Sequence, residues 1–283
     1  MKRTVLQLAL VVALVYAGIT VLKSNGKEGA VPVEEGPETT EERARTRRFW
    51  EVYRQATDLR IAGRMEMARA AYEEALLLNP KHEDALYYQG AMARALGDFN
   101  AAAQAWERLL ALNPAAARAH AQLGDLHLCY PGEAVFSPEV AGSHYQQAYD
   151  LNKEETGSLL GLGRTGLVAG DFSAARAAFT AVIGSNEGSV AAYFFLGYLD
   201  WKDGNLPSAQ TRLEAAFQRT RPEAPTQAVQ GEGDTRAGAR PLTSEDAGCA
   251  LFRSHLDLLY QGEQQGIAAF YPALDAALRS LPR

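Results

Sequence analysis

The sequence predicts an all-α protein built by stacking short helix pairs, and three observations carry that expectation. Landmark residues return at a fixed interval: Pro80 to Pro114, Gly90 to Gly124, Gly163 to Gly197 and Gly170 to Gly204 are each 34 residues apart, and Gly124 to Gly163 is 39. Each period holds two runs of helical spacing, divided in three of them by a glycine and an Asp or Asn: Gly97-Asp98, Gly170-Asp171 and Gly204-Asn205. Glycine after a helix end supplies the left-handed backbone of a tight turn. The second run places a small residue and an aromatic four apart, as in Ala102/Trp106, Ala141/Tyr145 and Ala175/Phe179. That spacing sets both on one helix face. A repeat of this length is the signature of a solenoid, in which neighbouring units bury each other's apolar sides.

The segments follow in chain order. Residues 4–22 carry no charge between the basic MKR and Lys23. The run holds Val5, Leu6, Leu8, Leu10, Val11, Val12, Leu14, Val15, Ile19, Val21 and Leu22. About 20 apolar residues span a bilayer as a helix, so 1–23 reads as an uncleaved signal anchor. A cleavable signal ending near Val15-Tyr16-Ala17 is the alternative. Residues 24–48 are expected to be a flexible tether, since Gly, Pro, Glu and Thr bury too little surface to offset ordering entropy. Its basic cluster at 43–48 fits either the solvated first turns of a helix or contact with anionic headgroups. Five repeats follow, at 49–82, 83–116, 117–155, 156–189 and 190–222, with extra residues in the third within 128–139. A polar, Gly- and Pro-rich linker is expected over 223–246. Helical spacing then resumes over 247–283, with Leu251, Leu258, Phe270, Tyr271 and Leu274. That stretch reads as a degenerate sixth hairpin or cap, or as a segment folded back into the solenoid's groove.

The pattern resembles the tetratricopeptide repeat (TPR) family. Leu123-Gly124, Leu162-Gly163 and Leu196-Gly197 supply the family's Leu-Gly pair, Ala68/Tyr72 the second-helix signature, and Pro80 and Pro114 the terminal proline. Gln55-Ala56 in the first repeat and Glu187 in the fourth depart from it. The resemblance implies a right-handed superhelix whose first helices line a concave surface. By register, that surface is expected to hold Trp50, Tyr53, Thr57, Arg60, Tyr87, Arg94, Arg118, Asp125, Leu160, Arg164, Phe194, Tyr198 and Trp201. Aromatic residues and arginine are the side chains in which binding energy concentrates. The Lys and Asn set with which some family members grip a chaperone tail is missing, since Tyr53, Thr57, Ala91, Ala121 and Asp125 stand there.

Chemistry beyond binding finds little footing. The net charge is −6, the opposite of a nucleic-acid footprint. No Walker loop, GxSxG, HExxH or dinucleotide fingerprint occurs, and no cofactor is implied. The GLGRTG at 161–166 sits inside a helical register with no strand before it. His120, His127 and His144 lie near Cys129 and form the one cluster on which a metal- or Cys/His-dependent enzyme could rest. Their registers fit structural packing. Cys129 and Cys249 either pair as one long-range disulfide in an oxidising compartment or stay as two buried thiols. The expected function is a membrane-anchored scaffold holding a peptide or helix of a partner protein in the groove, with the bulk of the chain periplasmic or otherwise extracytoplasmic. A structural subunit of a membrane complex and self-assembly through the groove are the further readings.

Overall fold

The computed structural model describes residues 39–221, 249–261 and 266–282. The chain divides into two units, residues 1–47 and 48–283. The predicted anchor over 1–23 and the predicted linker over 223–246 lie outside the described residues. Among the described residues no helix is long and apolar enough to cross a membrane.

The described helices are α1 (Thr40–Ile61), α2 (Met65–Leu78), α3 (Glu83–Ala95), α4 (Phe99–Leu112), α5 (Ala117–Cys129), α6 (Pro138–Leu151), α7 (Thr156–Ala169), α8 (Phe172–Ser185), α9 (Val190–Lys202), α10 (Leu206–Arg219), α11 (Ala250–Tyr260) and α12 (Ile267–Arg279). Residues 40–48, within the span assigned to the tether, form the first turns of α1, the helical one of the two readings of the cluster at 43–48. A reciprocal cap starts the helix there. The Thr39 amide donates to Glu42 Oε2 at 2.7 Å and the Glu42 amide donates to Thr39 Oγ1 at 3.1 Å. Those bonds hold the Glu42 carboxyl below its usual range, the Thr39 amide contributing most.

Within the second unit α3 pairs with α4, α5 with α6, α7 with α8 and α9 with α10, and each pair packs on the next. Ala56 of α1 shares a core cluster with Ala68 and Tyr72 of α2. The turns inside repeats one, two, four and five use Gly63, Gly97, Gly170 and Gly204 at φ 72°, 79°, 76° and 78°. Side chains of Asp98, Asp171 and Asn205 then cap α4, α8 and α10 by accepting from the amides of Ala101, Ala174 and Ser208. In repeat three the insertion replaces this turn, and Pro138 opens α6 behind its cap Ser137.

The ends of the second helices correct one detail of the pattern. Asn79, Asn113, Asn152 and Asn186 terminate α2, α4, α6 and α8 alike. Each Oδ1 accepts from the amide two residues on, at 3.3, 3.0, 3.2 and 3.0 Å. Proline follows only the first two, so the shared stop is the Asn side chain closing its own turn.

The small residues explain the close packing. A Cβ on Gly90 would lie 2.6 Å from Trp106 Nε1, and one on Gly124 2.7 Å from the Tyr145 ring. Gly163 meets Phe179 in the same way. Repeat five breaks the rule: Leu213 stands where the others place an aromatic. The ring over Gly197 is Tyr271, delivered by α12. The C-terminal pair therefore completes the last repeat. Phe252, Leu256, Leu259, Phe270, Tyr271 and Leu274 join the core of repeats three to five. Cys249, the N-cap of α11, forms a disulfide with Cys129 at the end of α5, 120 positions earlier.

A candidate partner-binding groove, half of it filled

The inner row of first-helix side chains divides into two halves of different character. In repeats one to three it stays accessible. Trp50 is 49% exposed, while Tyr53, Arg60, Tyr87, Arg94 and Asp125 are half-buried. Their rings run in series: Trp50 to Tyr53 at 5.9 Å, Tyr53 to Tyr72 at 5.8 Å, Tyr72 to Tyr88 at 5.7 Å and Tyr88 to Tyr87 at 5.3 Å. Guanidinium groups lie over the series, Arg60 at 4.3 Å from the Tyr88 ring and Arg118 at 4.7 Å from that of Tyr87. Such stacking orders the long side chains. Carboxylates meet two of the cations: Asp84 pairs with Arg118 at 3.0 Å, and Asp125 lies 3.8 Å from Arg94 while accepting from Tyr145 Oη at 2.7 Å. Burial, with the Asp84 charge next, pushes the Tyr53 hydroxyl up to about 12. Burial raises Tyr87 as well. Both phenols therefore remain neutral near pH 7. This face presents flat apolar rings and fixed guanidinium donors.

In repeats four and five the row is closed. Leu160, Arg164, Phe194 and Tyr198 are 1%, 3%, 0% and 1% exposed, and Trp201 is half-buried. The expectation that Arg164, Phe194 and Tyr198 line an open groove is corrected, because the chain's own C-terminal helices cover them. Phe252 of α11 sits 5.1 Å from Phe195, and the Arg164 guanidinium lies 5.8 Å from both rings. Tyr271 of α12 packs 5.5 Å from Phe194, 6.2 Å from Tyr198 and 6.3 Å from Trp201. Tyr198 Oη donates to Asp275 Oδ1 at 2.8 Å, Lys202 pairs with the same oxygen, and Arg279 reaches Oδ2 at 2.6 Å. Burial alone would raise the Asp275 carboxyl, but the Lys202 and Tyr198 hydrogen bonds outweigh it and hold the group low.

Sequence reasoning missed Tyr88 and His82. Tyr88 falls one residue off the inner register yet bridges Tyr72 and Arg60. His82, the N-cap of α3, touches Phe49, Trp50 and Tyr53 at 4.8, 5.6 and 4.9 Å. Its one signal was its place just before a helix that opens with two acids.

The histidines of repeat three do come together. His120 Nδ1 and His144 Nδ1 are 3.0 Å apart, and the His127 ring stacks on His144 at 5.9 Å. His127 Nδ1 donates to the Val135 carbonyl and so ties down the inserted loop. Cys129 is consumed by its disulfide, which removes the thiolate that a Cys/His site would need. Among the described residues no group of three or more His, Cys, Asp or Glu is placed to hold a metal ion. Burial, then the His120 and His127 charges, lowers the His144 pKa from 6.5 to about 4. The sign follows: the unfolded chain binds this proton below pH 6.5 while the native one does not. The stability carried by neutral His144 is full above pH 6.5 and is lost as pH falls toward 4. Urea midpoints at pH 7.5 and 5 should differ more in the wild type than in His144→Gln.

Fold and inner face together define a helix-pair solenoid, a class whose curved wall holds other chains. A family profile described as "Tetratricopeptide repeat" matches residues 53–99, 93–128 and 160–225, and the chain belongs to that family. Proteins of this family mediate protein–protein interactions. No curated protein sequence matches the chain. Among solved structures it is similar to MamA, at 21% identity over 58% of this chain and 93% of that one, with a TM-score of 0.53. It is similar to MamA from Desulfovibrio magneticus RS-1 at 15% identity, over 60% and 94% of the two chains, with a TM-score of 0.55. YrrB, described as a TPR protein with an unusual peptide-binding site, matches at 22% identity over 62% and 92%, with a TM-score of 0.51. At these identities the likeness concerns the fold.

Proposed function

We propose that the protein is a membrane-held TPR scaffold that binds a peptide or helix of a partner protein on the inner face of repeats one to three. The observation that carries this is the division of the inner face. The chain covers repeats four and five with its own helices, yet leaves Trp50, Tyr53 and Tyr87 accessible beside Arg60, Arg94 and Arg118. Exposed rings and ordered guanidinium groups are the side chains from which binding hot spots are made. The charge-free run over 4–22 supports a single membrane anchor. The Cys129–Cys249 disulfide supports a repeat domain in an oxidising compartment, outside the cytoplasm. The test is crosslinking and capture from membranes with the wild type and with Trp50→Ala plus Tyr87→Ala. The double variant should lose the partners the wild type recovers; equal recovery refutes the groove. Thiol labelling of denatured, unreduced protein should find neither cysteine free.

A further inference from the structure

The chain already shows what its groove accepts. The occupant of repeats four and five is a helix, α12, that presents two neighbouring rings and, one turn on, a carboxylate. Tyr271 seats on Gly197, Phe270 lies 6.0 Å from Phe194, and Asp275 takes the Tyr198 hydroxyl and the Lys202 ammonium. Phe194, Tyr198 and Lys202 lie along α9 in that order.

The open half shares only part of this layout: the seats matching that of Tyr271 on Gly197 are filled there by Trp106 over Gly90 and Tyr145 over Gly124, while rings and a cation stay accessible along α1. Along α1 stand Tyr53, Thr57 and Arg60, at the positions that Phe194, Tyr198 and Trp201 hold in α9. Arg60 is the cation of this set, one residue before the position that Lys202 holds in α9. Its Nε donates to Tyr72 Oη at 3.3 Å and its plane lies over Tyr88. Among the described residues it makes no ion pair, whereas Arg94 and Arg118 each have a carboxylate. A guanidinium held by a ring on one face keeps its two terminal nitrogens for a carboxylate.

We propose that the open half of the groove takes an amphipathic helix that carries a carboxylate, its apolar side chains seated on Trp50, Tyr53 and Tyr87 and the carboxylate, one turn further on, held by Arg60, much as Asp275 of α12 is held by Tyr198 and Lys202. This rests on the groove reading above and adds the chemistry of the partner.

The test uses the full disulfide-bonded chain and a labelled, acetylated and amidated peptide with the sequence of residues 267–279, followed by fluorescence anisotropy. The peptide should bind. Asp275→Asn in the peptide should weaken it about tenfold, the scale of a charge-assisted hydrogen bond. Arg60→Gln in the protein should weaken the unaltered peptide as much, and the two changes together should add nothing further. Arg60→Lys should recover part of the loss. Equal binding of the Asn peptide, with binding still lost in Trp50→Ala plus Tyr53→Ala, would overturn the carboxylate-bearing helix and leave the groove reading intact. Sensitivity to Lys202→Gln but not to Arg60→Gln would mean that the peptide displaces α12, and would also overturn the proposal. If an extended acidic peptide binds and this helix does not, the helical occupant is wrong. Equal partner capture by Trp50→Ala plus Tyr87→Ala is the separate result that defeats the groove reading itself.

Discussion

Cys249→Ser is expected to lower the stability of the repeat unit by about 4–5 kcal/mol, the loop-entropy scale for a closure of this length. The bridge joins residues 120 positions apart and pins α11 to the end of α5. The measurement is urea unfolding of wild type and variant under oxidising conditions, with the wild type repeated in reductant. Reduced wild type should fall to the midpoint of the variant. Both cysteines are buried, at 0% and 1% exposed, so reductant should act slowly on the folded protein and quickly in mid-transition urea. A variant as stable as the wild type would show that the packing of α11 and α12 positions the pair without the bond.

The second large effect is at Tyr271, where Ala and Phe should diverge. Tyr271→Ala removes a fully buried ring that fills the gap over Gly197, and should cost about 3–5 kcal/mol. Tyr271→Phe keeps the ring and removes a hydroxyl that has no hydrogen-bond partner among the described residues. An orphaned buried hydroxyl costs about 1–3 kcal/mol, so this variant should equal or exceed the wild type. The same oxygen is the nearest atom to a Cβ placed on Gly197. Gly197→Ala should therefore be destabilising alone and partly rescued by Tyr271→Phe. Thermal melts of the four proteins form a closed cycle. Additive behaviour would mean that Tyr271 does not occupy the place of the missing repeat-five aromatic.

Much of the fold was legible because a repeat is written locally. The Gly-Asp turns, the Ala/aromatic pairs and the 34-residue interval act over distances of one hairpin, so they mark helices, turns and stacking order without knowledge of the rest. Helices α3, α5, α7 and α9 begin at Glu83, Ala117, Thr156 and Val190. Legibility failed where two local signals competed. At 40–48 the sequence left both a tether and the first turns of a helix open, and the reciprocal cap of Thr39 and Glu42 starts the helix. In repeats three and four the terminal proline is absent, and Asn152 and Asn186 end the helices by the same side-chain turn as in the first two.

The proposed binding face was legible only in its chemistry. Register places Tyr53, Tyr87, Phe194 and Tyr198 in one inner row, and nothing near any of them distinguishes an open position from a covered one. The clue to the covered half was distributed: Leu213 too small for Gly197, Tyr271 with a ring to spare, and Cys129 and Cys249 far apart in sequence.

The amino-acid order by itself determined the helix-pair period and the turns, because these depend on contacts within one or two helices. Only the tertiary structure decided which first-helix side chains remain accessible. That choice is made by α11 and α12 returning across repeats three to five, and the energy of such a return lies in burial between segments that no local pattern connects.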